Sequence, residues 1–146
     1  MSEPGARWVS CLAACIWHVG IVALLWRGTL LLLEAERLDP GRGWPWLAIP
    51  AALLIGGLKG RLLLVRAVAR NKARIAALER PRPWHVYHPG FFLFLVANVL
   101  LARWVIAWSE GHYVLTILCG TMLLSIAVAL LVSSPAWWRQ ASPRAA

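Results

Sequence analysis

Charged residues are scarce in this chain, and their scarcity excludes a water-soluble domain. They make up 14% of the 146 residues, whereas hydrophobic residues make up 60%, and the mean hydropathy is +0.66. A soluble domain of this length needs a far more polar surface. The apolar residues also occur in long blocks, so the composition indicates an integral membrane protein.

Cysteine and acidic residues are few as well. The three cysteines, Cys11, Cys15 and Cys119, all lie within apolar stretches, which argues against a disulfide framework. The six Asp and Glu residues form no acidic metal cage. The sequence also has no Gly-rich phosphate loop and no nucleophile with a neighbouring His and acid. We therefore expect neither an enzyme active site nor a metal centre.

Four apolar segments approach the length of about 20 residues that a membrane-spanning helix needs. They cover approximately residues 8–26, 44–65, 91–108 and 113–132. The end of the first is open, since Arg27 either snorkels at its boundary or lies within a long, tilted helix. Glu34–Gly43 is typical of a turn, and Pro50 should bend the second helix without ending it. We predict an all-α, four-transmembrane-helix bundle that forms one domain over residues 1–146.

Basic residues are distributed unevenly between the two sides of this bundle. With the N-terminus inside, eleven Lys and Arg residues fall on the inner side and three on the outer side, with Arg103 left within the third span. The positive-inside rule therefore predicts that both termini face the cytoplasm across a bacterial inner membrane. Nine of the ten tryptophans fall near predicted span ends, as in an aromatic belt, and Trp17 alone is central.

The basic segment 59–90 begins as a helical extension of the second span into the cytoplasm. The residues expected to contact lipid or a partner are Lys59, Arg61, Arg66, Arg70 and Arg74. At 100° per residue all but Arg61 form one stripe. A second face, which should pack on protein, follows a 4-3-4-3 spacing and consists of Leu64, Val68, Asn71, Ile75 and Leu78. The stripe can meet anionic lipid headgroups, another membrane subunit, or a specific lipid or nucleotide ligand. Nucleic-acid binding is not expected, because the charge lies beside a membrane span.

The same stretch carries a resemblance. Lys59-Gly-Arg61, followed by Arg66 and Arg70-Asn71 at helical spacing, resembles a motif in a group of short, uncharacterised bacterial four-helix inner-membrane proteins. The resemblance covers about 20 residues. It implies placement in a bacterial inner membrane, and it implies no activity.

His18 is the ionisable residue nearest the middle of a span, and such residues are functional candidates by default. Ala14-x-x-x-His18, with Trp26 at the end of the span, resembles the pigment-ligating pattern of light-harvesting antenna polypeptides. The resemblance implies that His18 ligates bacteriochlorophyll, and an imidazole can equally ligate haem. The alternative is a neutral His18 that is hydrogen-bonded to a neighbouring helix. Cys11 and Cys15 share its face, where they are either soft-metal ligands or small residues that allow close helix approach.

Other polar residues lie within the last two predicted spans. Those expected to form hydrogen bonds between helices are Asn98, Thr116, Thr121 and Ser125. Arg103 should snorkel to the outer surface or pair with Glu34 or Glu110. None of these residues forms a catalytic set.

We predict an accessory, scaffolding or assembly subunit of a larger bacterial inner-membrane complex. The prediction rests on the small size of the chain, on the missing catalytic set and on a basic inner helix suited to docking. One alternative is a membrane protein that holds bacteriochlorophyll or haem through His18. The other is a small lipid-linked enzyme or transporter that uses the basic helix, although no predicted span carries an acid.

Overall fold

The computed structural model describes residues 4–77, 89–109 and 111–138. In chain order these form α1 (Pro4–Leu38), α2 (Trp44–Lys59), a π-helical turn (Gly60–Leu64), α3 (Val65–Ala76), α4 (Pro89–Ser109), α5 (Tyr113–Ser133) and the short α6 (Pro135–Trp138). The described part of the chain contains no strand. The predicted all-α class is therefore confirmed for these residues.

Three helical segments are long and apolar enough to cross a membrane: Trp8–Leu38, Trp44–Ile75 and Tyr113–Trp137. Many of their large side chains face outward, such as Leu54, which is 76% exposed, and Trp26, which is 70% exposed. Apolar surface of this extent is characteristic of helices that face lipid. Within α4 the described apolar stretch is shorter, Val99–Ser109. The fourth span therefore stays a prediction.

The first helix continues beyond the point where a turn was predicted. α1 includes Glu34 and ends at Leu38, so the prediction of a turn from Glu34 onward is wrong for the first part of that range. Leu, Glu, Ala and Arg are strong helix formers, and their propensity outweighs the change from apolar to charged residues. The turn forms after Asp39, where Gly41 (φ 88°) and Gly43 (φ 71°) adopt left-handed conformations. Helix α2 continues through Pro50, as predicted.

Helix α5 is the centre of the bundle. Both α1 and α2 pack along it, and they contact each other much less. Small residues set these approaches. Gly28 of α1 lies against Gly120, and a Cβ placed on Gly60, the first residue of the π-helical turn, would lie only 2.6 Å from the carbonyl oxygen of Ala129. Small residues at a spacing of four are how membrane helices bring their backbones together.

Two clusters of buried side chains lie at opposite ends of this bundle. The first joins the N-terminal half of α1 to α3 and α6, and its members are Val9, Ala13, Ala14, Trp17, Ile21, Val68, Ile75 and Trp137. The second joins the other ends of α1 and α2 to the start of α5, and its members are Leu32, Ala35, Ala48, Ala52, Ile117 and Leu124. We call the end of the bundle that contains the first cluster the α3 end, and the end that contains the second cluster the turn end.

Candidate functional site

The α2–α3 rod is longer than a bilayer is thick. Trp44–Ile75 contains 32 residues, which span about 48 Å at 1.5 Å per residue, whereas the hydrocarbon core of a bilayer is about 30 Å thick. The charged residues are concentrated at the α3 end of the rod. If Trp44 lies at one membrane surface, α3 therefore extends beyond the other.

One face of α3 packs against the rest of the chain. Val68 is 1% exposed and Ile75 is fully buried, and both belong to the cluster that includes Val9 of α1 and Trp137 of α6. The 4-3-4-3 spacing predicted a face that packs on protein, and this is confirmed for Val68 and Ile75. The contacts of this face are with α1 and α6 of the same chain. The last member of that predicted face, Leu78, lies outside the described residues.

The opposite side of α3 presents basic residues. Arg66 and Arg70, one helical turn apart, are both exposed. Arg74 is partly buried, and its Nε and Nη2 atoms donate hydrogen bonds to Oδ1 of Asn71 at 3.3 and 3.1 Å. Arg66 and Arg70 therefore project from a helix whose other face is fixed to α1 and α6.

The π-helical turn Gly60–Leu64 changes the predicted basic stripe. A π turn accommodates about one more residue than an α turn, so it shifts the angular register of everything that follows by about 100°. Lys59 precedes this turn, and Arg66, Arg70 and Arg74 follow it. The prediction that Lys59 shares their stripe is therefore wrong, because the calculation assumed a regular α-helix. Lys59 and Arg61 are exposed on the surface of the rod.

Lys72, which the sequence analysis did not single out as a site residue, holds the end of the chain against α3. Its Nζ atom donates hydrogen bonds to the carbonyl oxygens of Trp137 at 2.9 Å and Ala136 at 3.3 Å. The last carbonyl groups of a helix have no hydrogen-bond partner within that helix, so they favour a cation such as the Lys72 ammonium group at the C-terminal end of α6.

Trp17 and Trp137 form the centre of the buried cluster at the α3 end. Their rings meet edge to face, with centroids 5.8 Å apart, and Nε1 of Trp17 donates a hydrogen bond to the carbonyl oxygen of Leu130 at 3.0 Å. Trp137 is only 5% exposed. Its predicted place in an aromatic belt is therefore wrong: a Trp in the polar tail was expected at the membrane surface, but α6 folds it into the cluster.

His18 lies beside a groove that runs along α1. The groove is lined by His18, Val19, Val22, Ala23 and Trp26. Nδ1 of His18 lies 2.7 Å from the carbonyl oxygen of Ala14, four residues earlier on the same helix. A carbonyl oxygen only accepts hydrogen bonds, so Nδ1 is the donor in this contact. This hydrogen bond lies within α1, whereas the alternative to cofactor binding predicted a bond from His18 to a neighbouring helix.

The three cysteines are unpaired, as their positions in apolar stretches predicted. Cys11 and Cys15 are exposed on α1, and Cys119 is partly buried on α5. Within the described ranges, no group of three or more His, Cys, Asp or Glu side chains is placed to hold a metal ion.

Arg103 of α4 is exposed and lines an open groove together with Arg27 of α1. Among the described residues Arg103 forms no ion pair with Glu34, one of its two predicted partners; the other, Glu110, lies outside the described residues. The backbone of Asn98 belongs to α4, but its side chain is outside what the structure describes.

The hydroxyl groups of α5 bond mainly within their own helix. Thr121 donates to the carbonyl oxygen of Ile117 at 2.7 Å, and Ser125 donates to that of Met122 at 2.8 Å. The predicted bonds from these two residues to other helices are therefore wrong, because a carbonyl one turn earlier is always within reach. Thr116 does reach another helix, since its hydroxyl donates to the carbonyl oxygen of Ser109 in α4 at 3.0 Å.

Comparison with known proteins gives no relative. No protein-family model, no curated protein and no solved structure matches this chain.

Proposed function

We propose that this chain is an accessory, scaffolding or assembly subunit of a larger bacterial inner-membrane complex, and that it contacts its partner through α3. The observation that carries the proposal is that α3 is packed on one side and exposed on the other. Val68 and Ile75 are buried against α1 and α6, while Arg66 and Arg70 are exposed. Because the apolar face is already covered, the basic face is the one available to other molecules.

The proposal includes four membrane spans. Ala77 follows α3 at the α3 end of the bundle, whereas His112 precedes α5 at the turn end. The chain between them must return along the length of the bundle. Helix α4, with 21 residues, extends about 31 Å at 1.5 Å per residue, which matches the hydrocarbon thickness.

The proposed orientation places the α3 end in the cytoplasm. The eleven-to-three distribution of basic residues supports it. In the described chain, α3 carries Arg66, Arg70, Lys72 and Arg74, while the turn end carries the Arg42–Asp39 ion pair, 2.9 Å long. The resemblance around Lys59 supports placement in a bacterial inner membrane. There, the basic face would meet acidic groups of a partner subunit or anionic lipid headgroups.

The proposal is tested by reversing charge on the basic face. We expect Arg66→Glu/Arg70→Glu to insert and fold normally, because both side chains are exposed, but to lose partner subunits that purify with the wild-type chain from native membranes in a mild detergent. Quantitative mass spectrometry of the purified complexes measures the loss. The recovery of a partner bound through these charges should fall at least tenfold, since the coupling energy of a close pair of interfacial charges can reach about 1.5 kcal/mol or more.

The matched control is Arg37→Glu/Arg42→Glu, which makes the same charge change at the turn end. This variant should keep the partners. Equal partner recovery from both double variants and the wild type would contradict docking through α3. Recovery of the wild-type chain alone, in a lipid environment that preserves other complexes, would contradict the subunit proposal as a whole.

A second candidate function is cofactor binding through His18. The observation that favours it is the hydrogen bond from Nδ1 to the carbonyl oxygen of Ala14, because metal-ligating histidines commonly donate their other ring N–H to a backbone carbonyl. The neighbouring groove has apolar walls from Val22 and Trp26, which suit the edge of a bacteriochlorophyll or haem ring. Such a group would supply light absorption or electron transfer.

An absorption spectrum of the gently purified protein tests this candidate. Cofactor binding predicts a visible band that disappears in His18→Ala while the polypeptide remains. A preparation that is colourless both before and after the substitution contradicts cofactor binding. The scaffold proposal predicts that His18→Ala still purifies with its partners.

A further inference from the structure

Two arginines from different helices line one open groove of the bundle. Arg27 belongs to α1 and Arg103 to α4, both side chains are exposed, and Ile106 and Ala107 complete the walls. The groove is distant from the α3 basic face, because it lies toward the turn end. The two cations belong neither to the basic face of α3 nor to the groove beside His18.

Both arginines lie at a similar depth in the bundle. Arg103 is six residues before the end of α4 at Ser109, which corresponds to about 9 Å. Arg27 is adjacent to Gly28, which lies against Gly120 of α5. Gly120 is seven residues after the start of α5, which corresponds to about 10 Å. Arginine side chains at this depth can extend to the level of lipid phosphates.

The charge of this pair is uncompensated in the described part of the chain. Neither Arg27 nor Arg103 forms an ion pair or a hydrogen bond with a described residue. An arginine side chain keeps its charge at any physiological pH. Two such cations beside a membrane repel each other, and the repulsion grows as the surroundings become less polar. An anion between them removes this repulsion, and a guanidinium group matches the geometry of a phosphate.

The surface below the groove is apolar. Val99 and Leu100 lie one turn deeper than Arg103 on the same side of α4, and they are 51% and 62% exposed. An acyl chain that continues from a phosphate at the arginines would cover them. A free phosphate ion has no acyl chain and would leave this apolar surface exposed.

We propose that the Arg27–Arg103 groove binds the phosphate of an anionic phospholipid in the leaflet at the turn end. Each guanidinium group donates hydrogen bonds to phosphate oxygens, and an acyl chain follows the outer face of α4. This inference rests on the membrane placement in the proposed function, but it requires no partner subunit and no particular orientation.

Native mass spectrometry of the purified chain, released from nanodiscs that contain phosphatidylglycerol and phosphatidylcholine, tests the inference. We expect the wild type to retain phosphatidylglycerol, and we expect Arg27→Gln/Arg103→Gln to retain at least tenfold less. The matched control, Arg37→Gln/Arg42→Gln, removes two exposed cations from the same end of the bundle but outside the groove, and it should retain the wild-type amount. Arg27→Lys/Arg103→Lys should retain an intermediate amount, because it keeps the charge but loses the paired donors.

Three outcomes would overturn the inference. One is equal lipid retention by Arg27→Gln/Arg103→Gln and the wild type, with the circular dichroism of both unchanged. Another is displacement of the lipid by millimolar inorganic phosphate, which would identify a site for free phosphate. The third is lipid retention by Glu110→Gln but not by the wild type, which would identify Glu110 as the anion of the groove. Recovery of the chain outside the nanodiscs would instead refute the membrane placement itself.

Discussion

At the scale of single residues, the glycines of α2 and of the π-helical turn differ in their surroundings. A Cβ on Gly56 would lie 2.8 Å from Cβ of Val128 and would also press on the backbone of Ser125, and one on Gly60 would meet the backbone of Ala129. A Cβ on Gly57 would meet nothing within 4 Å. The requirement for glycine therefore comes from the α5 backbone and not from the α2 helix.

We expect Gly60→Ala to destabilise the bundle by about 1–3 kcal/mol, because the π-helical turn and α5 must separate to admit the methyl group. Gly57→Ala should be neutral or slightly stabilising, because alanine is the better helix former. Unfolding of the purified chain by SDS in bicelles measures both. Equal stability of the two variants would show that the π-helical turn and α5 do not approach each other at Gly60.

Trp17 offers a second test at this scale. Trp17→Phe keeps an aromatic ring but removes the hydrogen bond to Leu130, a loss of about 0.6 kcal/mol for an average bond between membrane helices. Trp17→Ala also removes the ring that packs against Trp137, and we expect a loss of about 3–5 kcal/mol. The same SDS titration measures both. A Phe variant as unstable as the Ala variant would indicate that the hydrogen bond dominates.

At the scale of secondary-structure elements, the π-helical turn sets the rotation of α3 relative to α2. A single π turn is equivalent to one residue inserted into an α-helix. Removing one residue within it should leave a regular helix in which Gly60 still faces Ala129 and Val68 still faces α1. Removing one residue after the turn instead rotates everything that follows by 100°.

Deletion of Leu63, which is 62% exposed within the π turn, should therefore change stability by only about 0.5 kcal/mol. Deletion of the exposed Ala69 in α3 should lower stability by about 2–5 kcal/mol, because Ile75 leaves its buried position and Lys72 leaves α6. Limited trypsin digestion should cut α3 faster in the second variant alone. Similar loss of stability in both variants would contradict the assignment of the π turn.

The sequence predicted the elements of this fold better than their relationships. Blocks of apolar residues locate the helices, and the 4-3-4-3 spacing from Leu64 identified the buried face of α3, because both follow from local periodicity. Gly56 and Gly60 form a small-xxx-small pattern that could have identified the α2–α5 contact. The π turn has no comparable signal, because it depends on how two long helices meet the same partner.

For the candidate sites the sequence was informative about charge but not about contacts. Arg66 and Arg70 are exposed on one side of α3, where the helical spacing placed them. The pairing of Lys72 with the carbonyl groups of α6 depends on how the chain ends fold back, over 64 residues or more of separation. The shared groove of Arg27 and Arg103 likewise joins two helices that are distant in sequence.

At the scale of the whole molecule, the bundle has one basic end and one end with paired charges. The α3 end carries the exposed Arg66 and Arg70. At the turn end, Arg42 pairs with Asp39 and lies over the rings of Trp44 and Tyr113, 5.5 and 5.4 Å from their centroids. This polarity is what the insertion machinery would read as an orientation signal.

The proposed topology predicts which residues an external reagent can reach. In a chain whose three cysteines are replaced by alanine, Pro40→Cys and His112→Cys should react with a membrane-impermeant maleimide in intact cells. Ala77→Cys should react only after permeabilisation; all three positions are exposed, so their reactivity reports the side of the membrane. External labelling of residue 77 would contradict the orientation, and shielding of residue 112 alone would contradict a spanning α4.

The central position of α5 also has a consequence for the order in which the chain folds during its synthesis. The ribosome releases α1 and α2 first, yet these two helices have little surface to share with each other until α5 arrives between them. The glycines at positions 28, 56 and 60 would face lipid during this interval, and α6 would not yet be present to cover Trp17. Nascent chains arrested before residue 113 should therefore be the preferred substrates of membrane proteases and the main clients of insertases, whereas chains that extend past Trp137 should escape both.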